Sequence, residues 1–115
     1  MEKHYWAFLN QQQPLYWKGF CNKDRNEGIY EVERVVSKHG YILDFHMFSD
    51  LEINLKIEIT EKNLALLFHD LSMVLDLRDV GTTFPETDLE RSLFINITFT
   101  KSTGELKIEV PSVPG

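Results

Sequence analysis

The stretch Leu51-Glu52-Ile53-Asn54-Leu55-Lys56-Ile57-Glu58-Ile59 decides the fold. Its apolar residues fall on odd positions and its polar residues on even ones. A period of two places the branched side chains on one face of an extended strand and leaves the other face wet. Such a strand needs a hydrophobic layer on one side only. Helices are therefore expected over the face carrying Leu51, Ile53, Leu55, Ile57 and Ile59.

Working outward, Tyr41 to Phe48 is rich in aromatic and branched residues, and Ser49-Asp50 supplies turn chemistry before the alternating strand. The two segments read as a β-hairpin. Upstream, Ile29, Val32, Val35 and Val36 recur on one side of a helix whose other positions are charged. Asp24 or Asn26 is placed to cap its start. Lys38 and His39 suit its negative dipole end, and Gly40, able to take positive φ, stops it. Downstream, Leu64, Leu67, Phe68, Leu71, Val74 and Leu75 trace a second apolar helical stripe, with Thr60 as the candidate N-cap before Glu61.

Residues 78–92 hold Gly81, Pro85 and many polar side chains, which predicts a long loop of the kind that often carries function. Leu93, Ile95, Ile97 and Phe99 alternate again. After the turn Lys101-Ser102-Thr103-Gly104, Leu106, Ile108 and Val110 do the same, so a second hairpin is expected. Leu15 to Cys21 reads as the first strand, and residues 1–14 as an N-terminal arm or extra strand. The order β-α-β-β-α-β-β predicts one α+β domain over residues 1–115. It is expected as a ferredoxin-like two-layer sandwich, with two helices on one face of an antiparallel sheet and the alternating strand near its centre.

The chain has 115 residues, enough for one core without metal or disulfide staples, and its 43% hydrophobic and 26% charged residues are ordinary for a globular protein. A formal net charge of −6 with no basic stripe argues against a nucleic-acid partner, which demands clustered Lys and Arg. Cys21 is the only cysteine, which suits a reducing cytoplasmic setting and excludes an internal disulfide. The start of the chain has no signal-peptide pattern, and no segment reaches the ~20 apolar residues of a membrane span. No membrane partner, cofactor or metal is expected.

No phosphate-binding loop, nucleophile elbow or paired metal-ligand motif occurs, and no catalytic residue is assigned. The one close titratable pair is Asp44 and His46, two apart on a strand and so on one face. With Glu52, Asn54 or Glu58 of the neighbouring strand it has the makings of a small enzyme's metal or proton-transfer site; the competing reading is a solvated sheet face. Tyr5, Trp6, Phe8, Tyr16, Trp17 and Phe20 concentrate aromatic area in the first twenty residues, either as a partner surface or as an arm that covers the open sheet face. Cys21 reads as a small buried hydrophobe.

Asp24-Arg25-Asn26-Glu27-Gly28-Ile29, followed by Val32, Val36, Gly40, Ile42 and the alternating strand, resembles an ACT domain over residues 15–77. One extra residue between Arg25 and Gly28 and the C-terminal hairpin depart from that pattern. The resemblance implies a non-catalytic regulatory domain that senses an amino acid or similar carboxylate metabolite and works as a homodimer. Independently, a helix N-terminus offers free N–H groups to an anion, Gly28 permits close backbone approach, and Asn22, Asp24 and Asn26 supply polar groups. Asn22, Asp24, Asn26 and Gly28 are therefore the candidate ligand-binding residues, against the alternative that they only cap the helix. A protein-interaction or assembly subunit with no small ligand is the competing function.

Overall fold

The computed structural model describes residues 13–81 and 83–101. Most of the expected N-terminal arm or extra strand, the expected strand through Leu106, Ile108 and Val110, and Tyr5, Trp6 and Phe8 lie outside them. Strand β1 (Leu15–Cys21) leads to helix α1 (Arg25–Ser37), then to the hairpin β2 (Gly40–Ser49) and β3 (Glu52–Thr60). A 3₁₀ turn at Glu61–Asn63 opens helix α2 (Leu64–Leu71); short β4 (Asp76–Arg78) and long β5 (Glu90–Phe99) follow.

The five strands form one sheet in the order β2-β3-β5-β1-β4. The expectation of an antiparallel sheet is corrected: β1 and β5 run parallel from Leu15↔Leu93 to Cys21↔Phe99, so the sheet is mixed. The reason is that β5 inserts between β1 and β3, and it must run antiparallel to β3, pairing Leu55 with Ile95. The centre of the sheet is thus β5, with β3 one place from the β2 edge. Strand β4 was not expected from the sequence, because three residues are too few to show an alternation.

The helices cover one face, as the pattern of β3 predicts. Ile53, Leu55, Ile57 and Ile59 are buried with Leu93, Ile95, Ile97 and Phe99 of β5, beneath Val32, Val35 and Val36 of α1 and Leu64, Leu67 and Leu71 of α2. Burial of this apolar area is the main term holding the two layers together. Trp17 turns inward from β1 and meets Phe68 and Phe84 edge-on at ring separations of 6.0 and 6.1 Å. Phe84 therefore pins the long connection between β4 and β5 to the core.

Two local expectations change. Neither helix has a side-chain cap bond at its start, although Asp24 does occupy the N-cap position of α1. Gly40 does not take positive φ; it begins β2, where a Cβ would lie 2.7 Å from the Glu58 carbonyl oxygen. Glycine is required there by the close approach of two backbones.

Candidate functional site

The four residues expected to bind a ligand are spread over three environments. Gly28 is buried in α1, and a Cβ there would stand 2.8 Å from both Cys21 Sγ and Phe99 Cε1. Its missing side chain lets α1 settle onto the sheet, and its N–H donates within the helix to the Asp24 carbonyl at 2.7 Å. Asn26 is exposed on the helix surface, and Asp24 is half-buried. Next to them, Arg25 reaches Asp50 in the β2–β3 turn at 3.3 Å.

Asn22 borders a concavity. An open groove of about 780 Å³ runs between the C-terminal end of β1 and the α2–β4 connection. Phe20, Phe68 and Met73 give it apolar walls, and Asn22, Arg78 and Thr100 give it polar ones. Arg78 is not free: it grips Asp76 with two hydrogen bonds of 3.2 and 2.6 Å, which hold the Asp76 carboxyl below its ordinary range. The sequence offered no route to this groove, because its walls come from three separate stretches of the chain.

No helix among the described residues covers the opposite face of the sheet, which carries the other polar constellation. Tyr16 stacks on Phe94 at 5.3 Å, and Lys56 lies over the Phe94 ring at 5.8 Å. Asn96 Nδ2 donates to Glu52 Oε2 at 2.7 Å and to Asn54 Oδ1 at 2.9 Å. The N-terminal aromatic run is thereby split by the strand period: Tyr16 and Phe20 face outward, and Trp17 faces the core.

Asp44 and His46 project from β2 on this open face, where they lie opposite Lys56 and Asn54 of β3. Asp44 Oδ1 accepts the Phe45 backbone N–H at 2.9 Å, and the His46 ring rests against Phe48 at 4.8 Å. Neither Asn54 nor Glu52 turns toward the pair; both are bonded to Asn96. Among the described residues no group of three His, Cys, Asp or Glu side chains is arranged to hold a metal ion, and no helix is long and apolar enough to cross a membrane.

Two titratable contacts escaped sequence reasoning because they join residues about thirty positions apart. His39 Nε2 and Asp70 Oδ2 are 2.7 Å apart and tie the end of α1 to α2; this bond lowers the Asp70 carboxyl from its ordinary value. Glu61, buried at the end of β3, accepts from Arg91 and from Thr87 at 2.5 Å each. No hydroxyl or thiol among the described residues bonds to the His39 ring. The Cys21 thiol is buried, and desolvation pushes its pKa up, keeping it in its unreactive neutral form.

Among the described residues, no strand pairs with the outer edge of β2. Strand β2 is ten residues long and exposes Tyr41 (74%), Phe48 (55%), Leu43 (54%) and Met47 (46%). At the far edge, β4 spans three residues and presents charges. Comparison with protein-family models, curated proteins and solved structures finds no match.

Proposed function

We propose that this chain is a non-catalytic interaction module that accepts an extended segment of a protein partner along β2. The observation that carries the reading is the exposed, aromatic, ten-residue edge strand. An unpaired edge presents a row of N–H and C=O groups, and strand addition is a recurrent way for proteins to satisfy them. Bulges next to Leu43 and Phe48 bound a regular stretch, Asp44 to Met47, where pairing with β3 proceeds without register shifts. Those bulges confine recognition to a short window.

The fold is read as a ferredoxin-like sandwich with one strand added. Both helical crossovers, β1-α1-β2 and β3-α2-β4, join parallel strands with others between them, and omission of β5 leaves the order β2-β3-β1-β4. This is the framework the ACT resemblance implies. A lone buried thiol at Cys21 suits a reducing, cytoplasmic setting.

A second reading has one observation in its favour. The groove beside Asn22 lies at the C-terminal end of β1, the junction at which a carboxylate metabolite was expected. Apolar walls with a few polar groups are the usual make-up of a small-molecule site.

Thermal melts separate the two. Ten-residue extended peptides of alternating apolar and polar residues should raise the melting temperature and slow exchange of the Phe45 N–H. Amino acids and other small carboxylates at millimolar concentration should leave both unchanged. A metabolite-induced rise that Asn22→Ala removes would overturn the interaction reading and install the groove as the functional site.

A further inference from the structure

The Phe45 N–H indicates what pairs with β2. The Leu51 carbonyl accepts the Phe99 N–H, so the odd residues of β3 direct their backbone groups toward β5. Leu55 and Phe45 therefore form a non-hydrogen-bonded pair, and the Phe45 amide points away from β3 to meet the Asp44 carboxylate. In an antiparallel ladder the N–H and C=O of one residue point to the same side, so the Phe45 carbonyl points outward as well. A residue of that orientation is able to face its own copy across a twofold axis and exchange both hydrogen bonds.

We infer that a second copy of this chain pairs antiparallel along β2, with the twofold axis at Phe45, so that Asp44 faces the partner's His46 and His46 faces the partner's Asp44. This deepens the edge-strand reading and rests on it. The register follows from the symmetry, since every residue and its opposite must lie equally far from Phe45. Asp44 and the partner's His46 then form a non-hydrogen-bonded pair, the kind whose Cα atoms lie only ~4.5 Å apart and whose side chains are closest. Both side chains stand on the open face, and both are exposed. An imidazole N–H donates to a carboxylate whether the ring is charged or neutral.

The same register brings the partner's Met47 level with the bulge at Leu43, where the regular stretch ends. When the partner's Phe45 carbonyl takes over the Phe45 N–H, the Asp44 carboxylate is released to meet the partner's His46. Among the described residues, the other charges on the open face of the neighbouring strand are Lys56, Glu52 and Glu58. Lys56 is opposite Asp44 within the same copy, but its ammonium lies over the Phe94 ring on the β5 side. A register displaced by one residue would lose the twofold hydrogen-bond exchange at Phe45 and would turn Asp44 away from the partner's His46.

Sedimentation equilibrium on the full chain from 1 μM to 1 mM, in ~0.15 M salt to limit long-range charge effects, tests the inference. The native chain should show a monomer–dimer equilibrium. His46→Asp puts two carboxylates opposite each other twice per dimer and should weaken association by roughly tenfold or more. The swapped double variant Asp44→His with His46→Asp restores the complement and should recover most of that loss. Circular dichroism and melting of each monomer should be unchanged, because both positions are exposed. A native chain that stays monomeric at 1 mM overturns the inference, as does a dimer indifferent to His46→Asp. Either result leaves strand addition by other peptides, measured separately in the melts, to stand or fall by itself.

Discussion

The two faces of strand β3 are held by different physics. On one, Ile53, Leu55, Ile57 and Ile59 are sealed under α1 and α2. On the other, Glu52, Asn54, Lys56 and Glu58 are half-buried and are engaged one contact at a time. Burial is non-directional and scales with area, so each large side chain on the covered face contributes on the order of 1.5–3 kcal/mol. The open face relies on directional contacts such as the Asn96 amide between Glu52 and Asn54, each offset by the loss of water. The covered face thus carries the stability, and the open face is free to vary with what it meets.

The two regimes collide at Glu61, a charge on the covered side immediately beyond β3. Its carboxylate is 4% exposed and matched to Arg91, whose Nη2 also donates to the Gln13 carbonyl at 3.1 Å. Removing one member of a buried pair strands the other. Glu61→Ala is expected to cost about 3–5 kcal/mol, the largest single effect outside the apolar core, because the Arg91 guanidinium loses its counter-charge away from water. Urea melts give the number; a loss below ~1 kcal/mol would mean that Arg91 escapes to solvent and that the pair belongs with the exposed contacts.

The legibility of these features in the sequence tracks the same divide. The covered face of β3 was readable residue by residue, since alternation at Leu51 to Ile59 is a local signal. So were α1, the β2–β3 hairpin and the second apolar stripe, although Thr60 and Glu61 begin a 3₁₀ turn rather than the helix proper. The direction of β5 was not readable, because the strand's own alternation fits any neighbour; only the sheet order makes it parallel to β1. Gly28 was misleading for a physical reason. A glycine at a helix start suits ligand approach and close packing equally, and only the positions of Cys21 and Phe99 show that packing uses the space. Glu61–Arg91 and His39–Asp70 were hidden, as charged residues near element ends are common and their pairing depends on tertiary distance.

Leu55→Ala tests the covered face directly. Leu55 is fully buried and lies opposite Phe45 and Ile95 in its two neighbouring strands. Truncation should cost about 2–5 kcal/mol, the transfer term plus an unfilled cavity. In the denaturant melt the midpoint should fall while the slope stays fixed, since the surface exposed on unfolding is nearly the same. A neutral result would reverse the assignment of inside and outside for the whole strand.

Lys56→Leu tests the open face one residue away, and its effect should be the smallest. Lys56 is opposite Asp44 on β2 and Phe94 on β5, and its ammonium lies over the Phe94 ring. The substitution removes a screened cation–π contact worth about 0.5–1 kcal/mol at such a site. It returns apolar contact between the leucine and the same ring, and leucine is no worse a strand former than lysine. The two changes oppose each other, so the expected shift in stability is within about 0.5 kcal/mol in either direction. The contrast with Leu55→Ala is the informative quantity, because both substitutions act on adjacent residues of one strand with the same backbone partners. Similar losses for the two would show the open face to be packed against something as closely as the covered face is packed against its helices.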